Sequence, residues 1–344
     1  MQLKRLKKSL VINNCQRGNK LGKILITGSA GFIGSHLTEK LVESGYDVKA
    51  FVHYNSLNSW GWLEKSEYLS DIEIIQGDVR DFDSVYSAMQ GCSEVFHLAA
   101  LIGIPYSYHS PLAYIRTNIE GTYNVLQSAR MLDLENIIVT STSETYGTAQ
   151  TVPISENHPL VGQSPYSATK IAADQLAISY FRSFDLPVKI ARPFNVFGPR
   201  QSARAIIPTV ISQILSGKRK IKLGNIKPTR DYTYVLDTVG GYLAIGKSDE
   251  LTGQVTNIGT NTEISIKDLT QKIANLCGVE VSIIEDIERI RPGKSEVERL
   301  VCDNAKIIEH TAWRPKNTLD EGLKATIDWM KKNIQLYKAG IYNK

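Results

Sequence analysis

Cysteine is scarce in this 344-residue chain, with four in all: Cys15, Cys92, Cys277 and Cys302, none in a CxxC pair. A disulfide framework or a structural zinc site needs closely spaced thiols, so reduced cysteines are expected and no metal is assigned. No run of 18 apolar residues occurs, which leaves no candidate for a hydrophobic spanning helix, and the opening residues are too polar for a secretory signal. A cytoplasmic protein without integral membrane association is expected. Acid is missing from the first 23 positions, which hold Lys4, Arg5, Lys7, Lys8, Arg17, Lys20 and Lys23. The whole chain carries +5, so these seven leave the remainder slightly acidic. Residues 1–22 read as a basic, frayed extension. One short leucine spacing (Leu3, Leu6, Leu10) and no aromatic residue make a poor lipid anchor, and no base-reading motif accompanies the charge, so no nucleic-acid partner is expected. There is no internal repeat and no low-complexity linker.

What is present is ordinary for a globular protein, at 42% hydrophobic and 22% charged residues, and long enough for one large or two unequal domains. Strand and helix alternate from Lys23 onward. Strands are read at KILIT, YDVKAFVHY, IEIIQGDVRD (72–81), SEVFHLAA (93–100) and ENIIVTSTS, with helices after the first, third and fourth, the last a long amphipathic one from about Arg116 to Leu132. That alternation predicts an α/β fold, a Rossmann-type parallel sheet with helices on both faces. A helix containing Tyr166 to Tyr180 follows a polar loop, and VKIARPFNVFGP (188–199) reads as another strand. Residues 23–187 are assigned mainly to a dinucleotide-binding domain. Residues 188–344 are assigned mainly to a smaller mixed α/β substrate domain with segments returning to the first.

GSAGFIG places Gly28, Gly31 and Gly34 between a strand and a helix, with Phe32 and Ile33 in the first helical turn. Glycine permits the tight turn, the close approach of a pyrophosphate and the packing of helix on sheet, and the helix amino end faces the phosphates. An acid usually ends the second strand to hold an adenosine ribose. Here His53, Tyr54, Asn55 and Ser56 stand instead, so Asn55 is the ribose candidate and the choice between NAD and NADP stays open. Asp78 and Val79 are assigned to the adenine, and Leu98, Ala99 and Ala100 to the dinucleotide groove. In YSATK, Tyr166 and Lys170 share a helix face, where an ammonium favours phenolate and grips a ribose hydroxyl.

The glycine cradle, Asp78, the hydroxyl at the end of the fifth strand and the Tyr166–Lys170 pair together resemble the extended short-chain dehydrogenase/reductase family of nucleotide-sugar epimerases and dehydratases, from about Lys23 to Met330. The resemblance implies NAD chemistry, a nucleotide-sugar site in the carboxyl-terminal part, and a homodimer built by pairing helices. Thr142–Ser143–Glu144 is similar to the Thr-Ser-Glu of the GDP-mannose enzymes. It implies Thr142 at the C4 oxygen, Glu144 as the base at C5, and Ser143 as a relay to the C6 hydroxyl, since serine is a poor acid at neutral pH.

The stretches RPFNVFGPRQSARAIIPTVI, STSETYGTAQ, GQSPYSATK and KPTRDYTYVLDT resemble the NAD-dependent 4,6-dehydratases of the legionaminic acid route to cell-surface polysaccharide. That implies UDP-N-acetylglucosamine as substrate and retention at C5. Asn195 is assigned to the sugar diphosphate, and Arg200, Arg204, Arg230 and Arg291 to the phosphates, Arg230 and Arg291 foremost. UDP-glucuronate decarboxylases share the triplet and are the rival reading, followed by a 4-epimerase. A non-catalytic nucleotide-binding protein would have no use for Thr142, Glu144, Tyr166 and Lys170.

Overall fold

The computed structural model describes residues 21–338 and 341–342. The basic opening lies outside the described residues, apart from Leu21 and Gly22, which already belong to the first strand. Seven strands form one parallel sheet: β1 (Leu21–Thr27), β2 (Tyr46–His53), β3 (Ile72–Gly77), β4 (Glu94–His97), β5 (Asn136–Thr140), β6 (Val188–Pro193) and β7 (Val255–Ile258). Their spatial order is β7-β6-β5-β4-β1-β2-β3. The chain therefore winds outward from β1 to one edge and then from β4 to the other, and a crevice opens where β1 and β4 diverge at their carboxyl ends.

Side-chain alternation along the strands explains how helices cover both faces. Leu25, Val95, Ile137 and Val139 point into a core closed by α2 (Phe82–Met89), α3 (Gly121–Met131) and α4 (Pro165–Phe184). Ile24, Ile26, Phe96 and Ile138 point the other way, against α1 (Phe32–Glu43) and a later helix that contributes Val239, Tyr242 and Ile245. Each buried aliphatic side chain stabilises this sandwich by roughly 1.5–3 kcal/mol, before the entropy of ordering it is counted.

A second core gathers α5 (Ile206–Leu215), the start of α6 (Val235–Lys247), α7 (Ile266–Leu276) and α8 (Leu319–Lys332) around Phe197, Ile211, Tyr232, Leu269 and Ile327. The long run 188–199 is not one strand. The chain leaves the sheet at Pro193, which has no N–H to extend a ladder, and Asn195–Phe197 pairs instead with Tyr232–Tyr234. The helix expected from Arg116 also differs at its start, where Ile115–Glu120 is wound as a π-helix before α3 begins. Among the described residues, no helix is long and apolar enough to cross a membrane.

Candidate active site

β1 ends in a turn at Gly28, whose φ of +71° suits glycine, and a Cβ there would lie 2.8 Å from the Ala99 amide nitrogen. At Gly34 a Cβ would meet the Gly28 carbonyl at 2.2 Å, so α1 can seat this close to the turn only without a side chain. Gly31 is open except toward Gly28, where the approach would be 3.2 Å. α1 begins at Phe32 with no side-chain cap and no acid in its first turn. The free N–H groups of its first turn, those of Phe32 and Ile33 among them, thus fit an anion, and the cradle fits a dinucleotide pyrophosphate.

The opposite lip of the crevice, Leu98 to Ala100, is braced from within. Thr27 Oγ1 accepts the amides of Leu98 (3.1 Å) and Ala99 (3.2 Å), which fills its lone pairs, so its proton goes to His97 Nδ1 at 2.8 Å. The other ring nitrogen must then carry hydrogen and donate to Thr122 Oγ1 (3.1 Å), which in turn donates to the Asn118 carbonyl (2.6 Å). Burial, reinforced by the positive charge of Lys170, lowers the His97 pKa to about 3. A neutral imidazole with a fixed tautomer therefore ties the groove to the π-helix. Asn118 continues the brace by accepting the Leu101 amide (2.9 Å) and donating to the Leu101 carbonyl (3.0 Å) and Thr169 Oγ1 (3.1 Å).

β5 delivers Thr142, Ser143 and Glu144 to the same end of the sheet, where Ser143–Tyr146 forms a single 3-10 turn capped by the Thr142 hydroxyl. α4 starts at a Ser164 capping box and projects Tyr166 and Lys170 toward them. The Tyr166 hydroxyl faces Thr142, whose side chain favours the phenolate, and its ring meets Tyr114 edge-on at 6.2 Å. Burial pushes the Tyr166 pKa up, and the nearby Glu144 charge pushes the same way. Lys170 donates to the Thr140 carbonyl at 2.6 Å rather than to Tyr166, leaving two of its three protons for other acceptors. Burial lowers its pKa, Arg192 adds to that, and Asp174 opposes it. Behind the turn, Asp174 accepts a hydrogen bond from Ser141 (2.5 Å) and pairs with fully buried Arg192 (2.7 Å), whose guanidinium lies over the Tyr146 ring.

Across the opening, the Asn195 side-chain carbonyl is buried without a partner, and one Arg291 guanidinium nitrogen is buried without a hydrogen bond. Both are groups a bound ligand would satisfy. Arg230 is buried and donates to the Thr229 carbonyl at 2.9 Å. Arg204 is exposed beside Gly103. Two of the candidates already have partners within the protein. Arg200 forms a two-pronged pair with Glu39 of α1 at 2.9 and 3.0 Å and donates to Ser35, so it fastens its loop to the helix. Asn55 turns its side chain into its own loop, donating to His53 and Ser59 carbonyls and accepting from the Leu57 and Ser59 amides, which leaves no bond for a ribose. Asp78 is gripped by the Arg80 guanidinium, which holds its carboxyl below the usual range. The Val79 carbonyl accepts from Asn124.

A family model described as GDP-mannose 4,6 dehydratase matches residues 25–326. A putative UDP-glucose 4-epimerase of Methanocaldococcus jannaschii is 32% identical, over 90% of this chain and 99% of that one. A UDP-N-acetyl-alpha-D-glucosaminuronate decarboxylase of Bacillus cytotoxicus is 33% identical, over 90% and 98%. Among solved structures, the dTDP-glucose 4,6-dehydratase DesIV of Streptomyces venezuelae with NAD and TYD bound superposes with a TM-score of 0.83 at 27% identity, covering 92% of this chain and 99% of that chain. The chain belongs to the extended short-chain dehydrogenase/reductase family of nucleotide-sugar dehydratases and epimerases.

Several parts of this dehydratase/epimerase site gave no local signal. His97 sits in an apolar strand run, and Asn118 lies within an amphipathic helix pattern; their partners are 70 and 17 residues away. Asp174 follows Lys170 by one helical turn, a spacing that could have flagged it, while Arg192 was legible only as part of a strand. Glu296, between Arg230 and Arg291, was not singled out at all.

Proposed function

We propose that this protein catalyses the configuration-retaining 4,6-dehydration of a nucleotide diphosphate sugar, most specifically of UDP-N-acetylglucosamine to UDP-2-acetamido-2,6-dideoxy-xylo-hexos-4-ulose. NAD, when bound, supplies the acceptor for the C4 hydride and gives that hydride back at C6. Gly28, Gly31, Gly34 and the Phe32 and Ile33 amides would hold its pyrophosphate, Asp78 and Val79 its adenine end, and Leu98–Ala100 the floor of its groove. Tyr166 takes the C4 hydroxyl proton, Thr142 hydrogen-bonds the resulting C4 oxygen, and Lys170 binds ribose hydroxyls and supplies positive charge. With C4 a ketone, the C5 proton is acidic. Glu144 removes it, Ser143 relays a proton, equivalent to the one lost from the C4 hydroxyl and exchanged through solvent, to the C6 hydroxyl, which leaves as water, and Glu144 returns its proton to C5 as hydride reaches C6. Asn195, Arg204, Arg230 and Arg291 bind the substrate's diphosphate and sugar.

The observation that carries this reading is the turn that holds Glu144 two residues after Thr142, its amide on the Thr142 hydroxyl, with both side chains near enough to influence Tyr166. Hydride removal and return at C4 alone, as in a 4-epimerase, requires no such carboxylate; elimination across C5–C6 does. A UDP-glucuronate decarboxylase is the second reading, favoured by the likeness to the Bacillus cytotoxicus decarboxylase. Incubation with UDP-N-acetylglucosamine and, separately, with UDP-glucuronate, followed by mass analysis, decides between them. Loss of water from the first supports the proposal, and loss of carbon dioxide only from the second refutes it. Exposed Tyr123 and Met131 on α3 and Phe184 on α4 favour a homodimer through these helices, which a monomer mass by sedimentation would refute.

A further inference from the structure

The segment carrying Glu296 is stitched to the catalytic turn. Gln163, shortly before Tyr166, donates to the carbonyls of Lys294 (3.1 Å) and Glu296 (3.1 Å) and accepts from the Thr148 amide. The Glu298 amide donates to the Thr148 hydroxyl (3.2 Å), and Ser295 meets the Tyr108 hydroxyl at 2.6 Å. So fixed, Glu296 directs a single oxygen, Oε1, between two guanidinium groups, 3.8 Å from Arg230 Nη2 and 3.5 Å from Arg291 Nη1. Its side chain is only 12% exposed. Other shielded pairs are tighter: buried Arg192–Asp174 closes to 2.7 Å and half-buried Arg200–Glu39 to 2.9 Å, whereas here both contacts are loose and the Arg291 nitrogen still lacks a hydrogen bond.

Two arginines converging on one negatively charged oxygen at ion-pair distance, but without bonded geometry, make an anion site whose occupant is a poor fit. We propose that Glu296 is an internal counter-ion: it holds Arg230 and Arg291 together in the ligand-free protein and opposes, by its charge, the diphosphate that takes their guanidinium donors. This rests on the reading of Arg230 and Arg291 as diphosphate ligands. Glu144 adds to the same negative field, and burial with that field raises the Glu296 pKa. The arrangement keeps the two arginines from carrying uncompensated charge while the site is empty, and it limits how tightly the nucleotide product is retained.

The test is the affinity of the full chain for UDP, by calorimetry, in the unaltered protein, Glu296→Gln and Glu296→Ala, with uncharged uridine followed by ligand-observed NMR. Removal of one negative charge beside the diphosphate is expected to tighten UDP binding about tenfold in both variants, with a steeper loss of affinity as salt rises, and to leave uridine unchanged. Unchanged or weaker UDP binding in the variants overturns the proposal, the weaker result meaning that Glu296 organises the arginines. Equal tightening for uridine also overturns it. If the unaltered protein binds no UDP, the diphosphate site itself fails and this proposal fails with it.

Discussion

Acid should weaken this fold through His97, and the size of the effect follows from the hydrogen-bond polarity around the ring. The imidazole is neutral because Nδ1 must accept from Thr27; a second ring proton would face a hydroxyl whose lone pairs are already filled by the Leu98 and Ala99 amides. With the folded pKa near 3 and the unfolded value near 6.5, the unfolded chain binds the extra proton throughout that window. Stability is therefore full above pH 6.5 and falls as pH drops toward 3, by about 1.4 kcal/mol per unit from this one group. Between neutrality and pH 5 the loss is about 2 kcal/mol.

His97→Gln isolates that proton. Glutamine retains a donor for Thr122 but offers nothing that titrates, and it leaves the Thr27 hydroxyl without its acceptor, a cost of about 1–3 kcal/mol at pH 7.5. Urea unfolding followed by tryptophan fluorescence at pH 7.5 and pH 5 should show the two proteins well separated at the higher pH and nearly equal at the lower, with unchanged m-values. His36 is also pushed down, to about 4, chiefly by burial, but it titrates alike in both proteins and drops out of the difference. An identical stability gap at both pH values would refute the assignment of a buried neutral imidazole. Because the same ring ties Leu98 and Ala99 in place, the variant should also bind NAD more weakly at pH 7.5.

Glu144→Gln should bind NAD as the unaltered protein does but exchange the substrate's C5 proton with deuterated solvent at least a hundredfold more slowly, the size general-base removal implies; rapid exchange would move the base elsewhere. Lys170→Met removes a buried cation whose ionisation burial already disfavours, so the fold should hold while the first hydride transfer, read as reduced-nicotinamide absorbance, slows markedly; a normal burst would refute its role. Gly34→Ala must displace the Gly28 carbonyl from a 2.2 Å contact, so it should cost roughly 1–3 kcal/mol in urea unfolding and abolish NAD binding. Wild-type values for both would show that the turn yields more easily than its packing implies.

The parts of this protein that read directly from sequence are those whose reason is local. Gly28 and Gly34 are demanded by a turn and a helix contact within seven residues of each other, the sheet by strand periodicity, and the triplet at Thr142 by its strand-end position. Charge partnerships are different in kind. Arg200 and Arg291 both stand in polar, loop-like sequence and are both phosphate candidates, Arg291 the stronger, yet one finds Glu39, 161 residues earlier, and the other faces Glu296, five residues later in a segment held by Gln163. Whether a guanidinium is a tether or a ligand is decided by the carboxylate that reaches it first and by how closely it does so. A bonded pair at 2.9–3.0 Å on a half-covered helix surface leaves less for an incoming anion. A pair held at 3.5 Å with an unbonded nitrogen leaves a donor and a direction, and for that reason Arg291 is the stronger candidate of the two.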